Sequence, residues 1–193
     1  MRSYDALAED LSKGYERYFA QVAQAEADRF LSRLRPGCRV LDLGCGAGVA
    51  SEYLVARGCL VVSADLSLGM LDLCRQRGLS GLVQLDMANL PFADSSFDAV
   101  WAHTSLIHIA KREVTMVLDQ VARVLKANGA LFLALRLGNG EGYEGDETNP
   151  RWFANYSQNE FEHYLPQTLC PVRQSITAYG SDRRFLNYHL DRA

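Results

Sequence analysis

The stretch from Arg39 to Gly48, Arg-Val-Leu-Asp-Leu-Gly-Cys-Gly-Ala-Gly, constrains this chain more than any other. Val40, Leu41 and Leu43 form a short apolar run suited to a strand buried on both faces, the habit of parallel sheets. Gly44, Gly46 and Gly48 follow at every second position. Glycine tolerates positive φ and lets a ligand approach the main chain closely. Val49 to Arg57 reads as the next helix, with Val49, Tyr53 and Leu54 on one face and Gly58 as its stop. A strand, a glycine turn and a helix N-terminus in succession make a nucleotide site. The spacing is G-x-G-x-G with Asp42 two residues ahead of the first glycine, whereas dinucleotide enzymes use G-x-G-x-x-G.

The same unit repeats. Cys59 to Ala64 is a second apolar strand leading into Asp65, after which Ser67 caps a helix that runs to Arg77 and stops at Gly78. Leu82 to Leu85 is a third strand with Asp86 at its carboxyl end, so Asp42, Asp65 and Asp86 line one edge of the sheet with acceptors. Asp65 can take both hydroxyls of a ribose, or serve as a loop or capping residue. Ala99 to Ala102 is a fourth strand, and His103 to His108 lies at the carboxyl end where α/β folds place their chemistry. Val114, Val117, Leu118, Val121 and Leu125 mark an amphipathic helix stopped by Asn128-Gly129, and Ala130 to Leu137 is a fifth strand.

The ends of the chain flank this core. Asp5 to Leu34 has helical periodicity, interrupted near Gly14 and closed by Pro36-Gly37; Tyr4, Tyr15 and Tyr18 suit either a lid over a ligand or helix packing. Gly138 to Pro150, rich in glycine and acid, reads as a mobile lip over a site. Ser157 and Glu160 form a capping box, and Val172 to Tyr179 and Arg184 to Leu190 alternate as a hairpin around Gly180 to Arg183. The expected organisation is one domain over 1–193, with a helical cap (1–37), a binding core (38–137) and a lip, helix and hairpin (138–193).

Composition excludes several classes. A chain of 193 residues with a net charge of −3 has no general electrostatic drive toward nucleic acid or anionic membranes. Its five cysteines lack C-x-x-C or metal-ligand spacing, so no metal is expected and reduced thiols suit a cytoplasmic protein. The first ten residues lack the apolar core of a signal peptide, and no run approaches membrane-spanning length.

Taken together, Leu41 to Gly48, Ala64-Asp65-Leu66-Ser67, Leu85-Asp86-Met87, Leu90-Pro91-Phe92 and Ser96-Phe97-Asp98 resemble the class I S-adenosylmethionine-dependent methyltransferases of small-molecule type. Arg123-Val124-Leu125-Lys126 with Asn128-Gly129 resembles that family's R-V-L-K-P-G-G turn, with Ala127 in place of proline. The resemblance implies an α/β fold: a seven-stranded, mostly parallel, doubly wound sheet, Rossmann-like, whose last strand is antiparallel. It implies S-adenosylmethionine as cofactor, S-adenosylhomocysteine as product and a small-molecule acceptor. The main chain of Gly44, Cys45, Gly46 and Gly48 would cradle the cofactor, with Asp42 accepting from its methionine part and His103 closing that end. Asp65 would take the ribose, Leu66 and Met70 would pack on the adenine, and Asp86 and Met87 would read the ring edge.

Ser105 to Ile109 resembles the stretch that carries an acceptor-facing histidine in methyltransferases acting on phosphoethanolamine. There an amino-terminal tyrosine partners it, which makes His108 the candidate base and Tyr4 or Tyr15 its partner; a purely loop-orienting role for His108 stays open. Arg136, Arg151, Trp152 and Tyr156 are candidates for the pocket wall, with surface ion pairing the alternative for the arginines. His163 and His189 suggest no ligand. Two other readings remain: a nicotinamide-dependent oxidoreductase, disfavoured by the glycine spacing, and a methyltransferase-like protein that binds cofactor without turnover.

Overall fold

A computed structural model describes residue 4 and residues 14–145 and 148–193. The first residues of the expected amino-terminal helix and the tip of the expected lip lie outside the described residues.

Five parallel strands form the centre: β1 (Arg39–Leu43), β2 (Leu60–Asp65), β3 (Leu82–Gln84), β4 (Phe97–His103) and β5 (Leu125–Leu137), in the spatial order β3-β2-β1-β4-β5. Their side chains alternate between two apolar layers, as a sheet buried on both faces requires. Leu41, Leu43, Val100, Ala102, Leu131 and Leu133 point to one layer, covered by α4 (Lys111–Val124) through Val114, Val117, Leu118 and Val121. Val40, Ala99, Trp101, Phe132 and Ala134 point to the other, covered by Phe30 of α1 (Gln24–Leu31) and Leu54 of α2 (Val49–Val55). The remaining crossover helix is α3 (Leu68–Gln76), whose Ser67 cap accepts the Met70 N–H at 3.2 Å.

The chain adds four further strands: β6 (Glu141–Glu144), β7 (Arg151–Tyr156), β8 (Leu169–Tyr179) and β9 (Arg183–Arg192). β9 runs antiparallel beside β5 from Ala130 to Arg136 and carries β8 on its outer side. The expected seven-stranded path is thus present, and two more strands make a nine-stranded sheet. One strand of the extra pair, β6, lies in the glycine- and acid-rich insertion and forms a hairpin with β7, which follows it directly.

That hairpin has a defined seat. Arg136 already pairs with Phe185 of β9, so its pairing with Asn155 of β7 uses the other edge of β5, the one β4 has vacated after His103. β7 therefore continues the place of β4 beyond the carboxyl ends of the strands, above the glycine turn.

Three local outcomes differ from expectation. Residues 14–18 are helical, the chain just before Gly14 lies outside the described residues, and an irregularity falls later, in a π-helical turn at Phe19–Ala23. α4 ends at Val124 instead of Asn128; Leu125 is already extended, and Asn128 takes a left-handed φ of 61° inside the turn. Four of the five cysteines, scattered in sequence, meet in two pairs, with Cys38 and Cys59 sulfurs 3.5 Å apart and Cys45 and Cys74 sulfurs 3.8 Å apart.

Two buried polar links tie the layers together. Ser63 donates to Ser51 (2.7 Å), which donates to Asp42 (2.6 Å), joining β2, α2 and β1. On the same face Glu26 of α1 meets the His189 ring at 2.7 Å and accepts from Ser175 at 2.9 Å. His163 caps α5 (Gln158–Glu162) from the surface, 2.6 Å from the Asn159 carbonyl.

Candidate active site

A cavity of about 400 Å³ opens at the carboxyl ends of β1, β2 and β4, walled by the glycine turn, the π-helical segment and the β6/β7 hairpin. It is the place where the strand order reverses, with β2 on one side of β1 and β4 on the other, and open α/β sheets bind ligands there.

Gly44 (φ 74°), Gly46 (φ 53°) and Gly48 (φ 80°) all adopt left-handed backbone. The reasons differ. A Cβ on Gly44 would stand 2.3 Å from the Ser105 Cβ, so the turn packs against the β4 loop with no room for a side chain. Gly46 faces the cavity with only the Tyr15 ring near, at 3.7 Å. Gly48 lies off the cavity wall; a Cβ there would meet Leu79 and Cys74, so its role is to seat α2 and α3 together. The Gly44 and Cys45 N–H groups both donate to the Ala64 carbonyl (2.8 and 2.9 Å), which fixes the turn to β2.

All three aspartates reach the cavity wall, each with a different environment. Asp42 is 2% exposed, and burial pushes its carboxyl up to about 7 against the pull of the Ser51 hydrogen bond. Asp65 accepts the Gly46 N–H on one oxygen and the Ser67 N–H on the other, both at 2.9 Å. It braces the glycine turn and the start of α3 as well as facing the cavity. Asp86 is exposed at the rim and accepts the Ala88 N–H at 2.9 Å. Leu66, Met70 and Met87 lie between the last two aspartates on the same wall; Met70 is buried and Leu66 is 44% exposed.

His103 ends β4 stacked in line with Trp101 and Phe132, at interplanar angles of 9° and 8°. Burial lowers its pKa to about 4, so the ring is neutral at pH 7. His108 sits at the end of the 3-10 turn Leu106–His108, which follows the left-handed Thr104 (φ 53°). Its Nδ1 lies 2.8 Å from the Trp152 carbonyl, and its Nε2 lies 2.7 Å from the Tyr4 hydroxyl. A carbonyl only accepts, so Nδ1 carries the proton and Nε2 accepts from Tyr4. Burial, helped by the Arg151 and Arg136 cations, lowers the His108 pKa to about 4. Burial likewise raises the Tyr4 phenol, with Arg151 pulling the other way.

The four pocket-wall candidates separate. Arg151 and Trp152 line the cavity. Arg136 lies off it and clamps both oxygens of Glu144 at 2.9 and 3.0 Å, the ion-pair alternative. Tyr156 is fully buried against Phe161. Sequence reasoning missed Thr104, Ser105, Tyr143 and Pro150, which also line the cavity. A 73%-exposed Tyr143 in a polar insertion was the available signal for its hairpin. Ser105 fell within the His103 to His108 stretch expected at the strand's carboxyl end, and the packing of Gly44 against it shows its place.

These residues fit the expected cofactor on two counts. The open face of Gly46 leaves a main-chain trough that a β-carbon would fill, and the buried Ser105 and Tyr18 hydroxyls in the cavity wall find no partner among the described residues.

Residues 41–133 match the protein family described as Methyltransferase domain. A demethylmenaquinone methyltransferase of Mycobacterium sp. (strain KMS) is 37% identical over 178 residues, covering 92% of this chain and 70% of the relative. The demethylmenaquinone methyltransferase of Thermobifida fusca is 38% identical over 136 residues, covering 67% of this chain and 55% of the relative. Among solved structures, a Burkholderia thailandensis 1,6-didemethyltoxoflavin-N1-methyltransferase with bound substrate and S-adenosylhomocysteine superposes with a TM-score of 0.77 at 17% identity, covering 97% of this chain and 84% of that one. The chain belongs to the class I S-adenosylmethionine-dependent methyltransferase family. It spans about half the length of several curated relatives it matches.

Proposed function

We propose that the chain is a single methyltransferase domain that moves the methyl group of S-adenosylmethionine to a small-molecule acceptor. One observation carries this reading: the glycine trough with its three aspartates and the Tyr4–His108 pair, 104 positions apart in the sequence, face one cavity.

In this reading Gly44, Cys45 and Gly46 present main chain to the methionine part of the cofactor, with Asp42 and His103 at that end. Asp65 takes the ribose hydroxyls, Leu66 and Met70 sandwich the adenine, and Asp86 with the Met87 main chain reads its edge. When bound, the cofactor supplies an already activated methyl group, so the residues here chiefly orient the acceptor and exclude water. Such positioning is worth roughly 7–11 kcal/mol of barrier. Tyr4 accepts a proton from the acceptor while its own passes to His108 Nε2, and the Trp152 carbonyl holds the imidazole in the tautomer that permits this.

The balance of charge supports a small molecule over nucleic acid, and the reduced cysteine pairs suit the cytoplasm. Calorimetry with S-adenosylmethionine, followed by S-adenosylhomocysteine release across an acceptor panel headed by demethylmenaquinone, tests the reading. Absence of cofactor binding would refute it.

A further inference from the structure

The hairpin above the cavity carries an imbalance of charge. Glu144 of β6 stands directly opposite Arg151 of β7 in the ladder, the natural place for a cross-strand ion pair. Its carboxylate instead goes to Arg136. Among the described residues no carboxylate reaches ion-pairing distance of Arg151. The Arg151 guanidinium lies 5.7 Å from the Tyr4 ring centre and 5.3 Å from that of Phe153, half-buried in the cavity wall.

Its neighbours are donors and aromatic faces. Trp152 beside it has a buried indole N–H that finds no partner among the described residues, and Tyr143 packs edge-on against the Trp152 ring at 5.1 Å. A half-buried cation flanked by an idle N–H donor is costly unless something accepts from it. The aromatic walls suit a flat ring as the carrier of that acceptor.

The neighbouring base points the same way. Nε2 of His108 is a weak proton sink, because burial and the two arginine cations hold its pKa near 4. The relay through Tyr4 to His108 is then helped by a cation placed against the forming oxyanion, which lowers the acceptor's own pKa. An ammonium acceptor placed beside Arg151 would meet repulsion from its guanidinium.

Resting on the methyltransferase reading, we infer that Arg151 is the specificity residue of the acceptor subsite and selects an aromatic acceptor whose negative charge lies on oxygen, an aryl oxide or an arenecarboxylate. Guanidinium geometry suits a carboxylate or phenolate edge, and the Trp152 N–H supplies a further donor.

The test uses the whole chain loaded with S-adenosylhomocysteine and two probes of one ring size, 1-hydroxy-2-naphthoate and 1-naphthylmethylammonium, titrated by calorimetry. The naphthoate should bind at least tenfold more tightly than the ammonium. Arg151→Gln should shrink that ratio to within about twofold while leaving S-adenosylhomocysteine affinity and the melting temperature unchanged. Equal binding of the probes to the native protein, no binding of either, or an undiminished ratio in Arg151→Gln would overturn the inference. So would a loss of S-adenosylhomocysteine affinity in that variant with the ratio intact, since Arg151 would then serve the cofactor's own carboxylate. Failure of the native protein to bind S-adenosylhomocysteine at all would instead refute the methyltransferase reading.

Discussion

Tyr4 and His108 are separated by 104 positions in the chain and by 2.7 Å in the fold. The contact joins the amino-terminal segment to the loop after β4, across the mouth of the cavity. Tyr4→Phe removes the hydroxyl and keeps the ring edge-on to His108, at 69° to it. We expect a fall in kcat of about 10²-fold, the usual range for a positioned proton-transfer group, with S-adenosylmethionine affinity within twofold of native. Single-turnover kinetics beside calorimetry will show it; parallel loss of both quantities would mark the pair as structural.

A neutral His108 has a pH signature. Its folded pKa, near 4, lies below the ordinary 6.5, so protonation lags that of a free histidine as the pH falls. The rate profile should carry no acid limb around 6.5 and should hold until about pH 5. A limb at the ordinary value would show that the imidazole is solvated in solution.

Asp42 makes the opposite statement about stability. Its folded pKa, about 7, is raised above the ordinary 3.8, so its contribution is fully present below 3.8 and is lost as the pH rises through 7. Between pH 5 and 8 the native chain should lose on the order of 2 kcal/mol relative to Asp42→Asn. Urea midpoints of the two proteins at both pH values measure this; parallel changes would assign the carboxyl an ordinary pKa.

Asp65 is both brace and cavity residue, and the two roles separate by substitution. Asp65→Ala frees the Gly46 and Ser67 N–H groups and should weaken cofactor binding at least tenfold, together with a lower melting temperature. Unchanged affinity by calorimetry would remove the ribose role.

Gly44→Ala combines a left-handed φ with a 2.3 Å clash against Ser105. Backbone strain alone costs about 1–3 kcal/mol, and the clash adds displacement of the β4 loop. Thermal melts should show a loss that Ser105→Gly partly restores in the double variant, since it removes the clashing carbon. No restoration would place the strain in φ alone.

Much of this was legible in sequence because it is local. Strands β1, β2 and β4 announce themselves by short, predominantly apolar runs, and the glycines by spacing. The hairpin β6/β7 was not, because its partners lie elsewhere: Glu144 looks like loop acid until Arg136 takes it, and Arg151 to Tyr156 gains its ladder only where β4 stops. The cysteine pairs were hidden by distance yet followed from register. Cys38 and Cys59 each precede by one residue the paired Arg39 and Leu60, so parallel alignment alone sets them side by side. Asp42's link to Ser51 and Ser63 had a weaker signal, a serine inside an apolar strand opposite the aspartate. The charge state of His108 had none, since burial by a hairpin cannot be read from the residues it buries.

β7 is fastened to β5 through only two residue pairs, Arg136 with Asn155 and Leu137 with Tyr156. The ladder between the element that carries Arg151 and Trp152 and the frame that carries the glycine trough is therefore short, and the rest of its hold is side-chain packing of Phe153, Ala154 and Tyr156 in the core. Exchanging that one graft should let the same engine accept a different cargo while its fuel line stays untouched, a modularity that protein engineers can exploit directly.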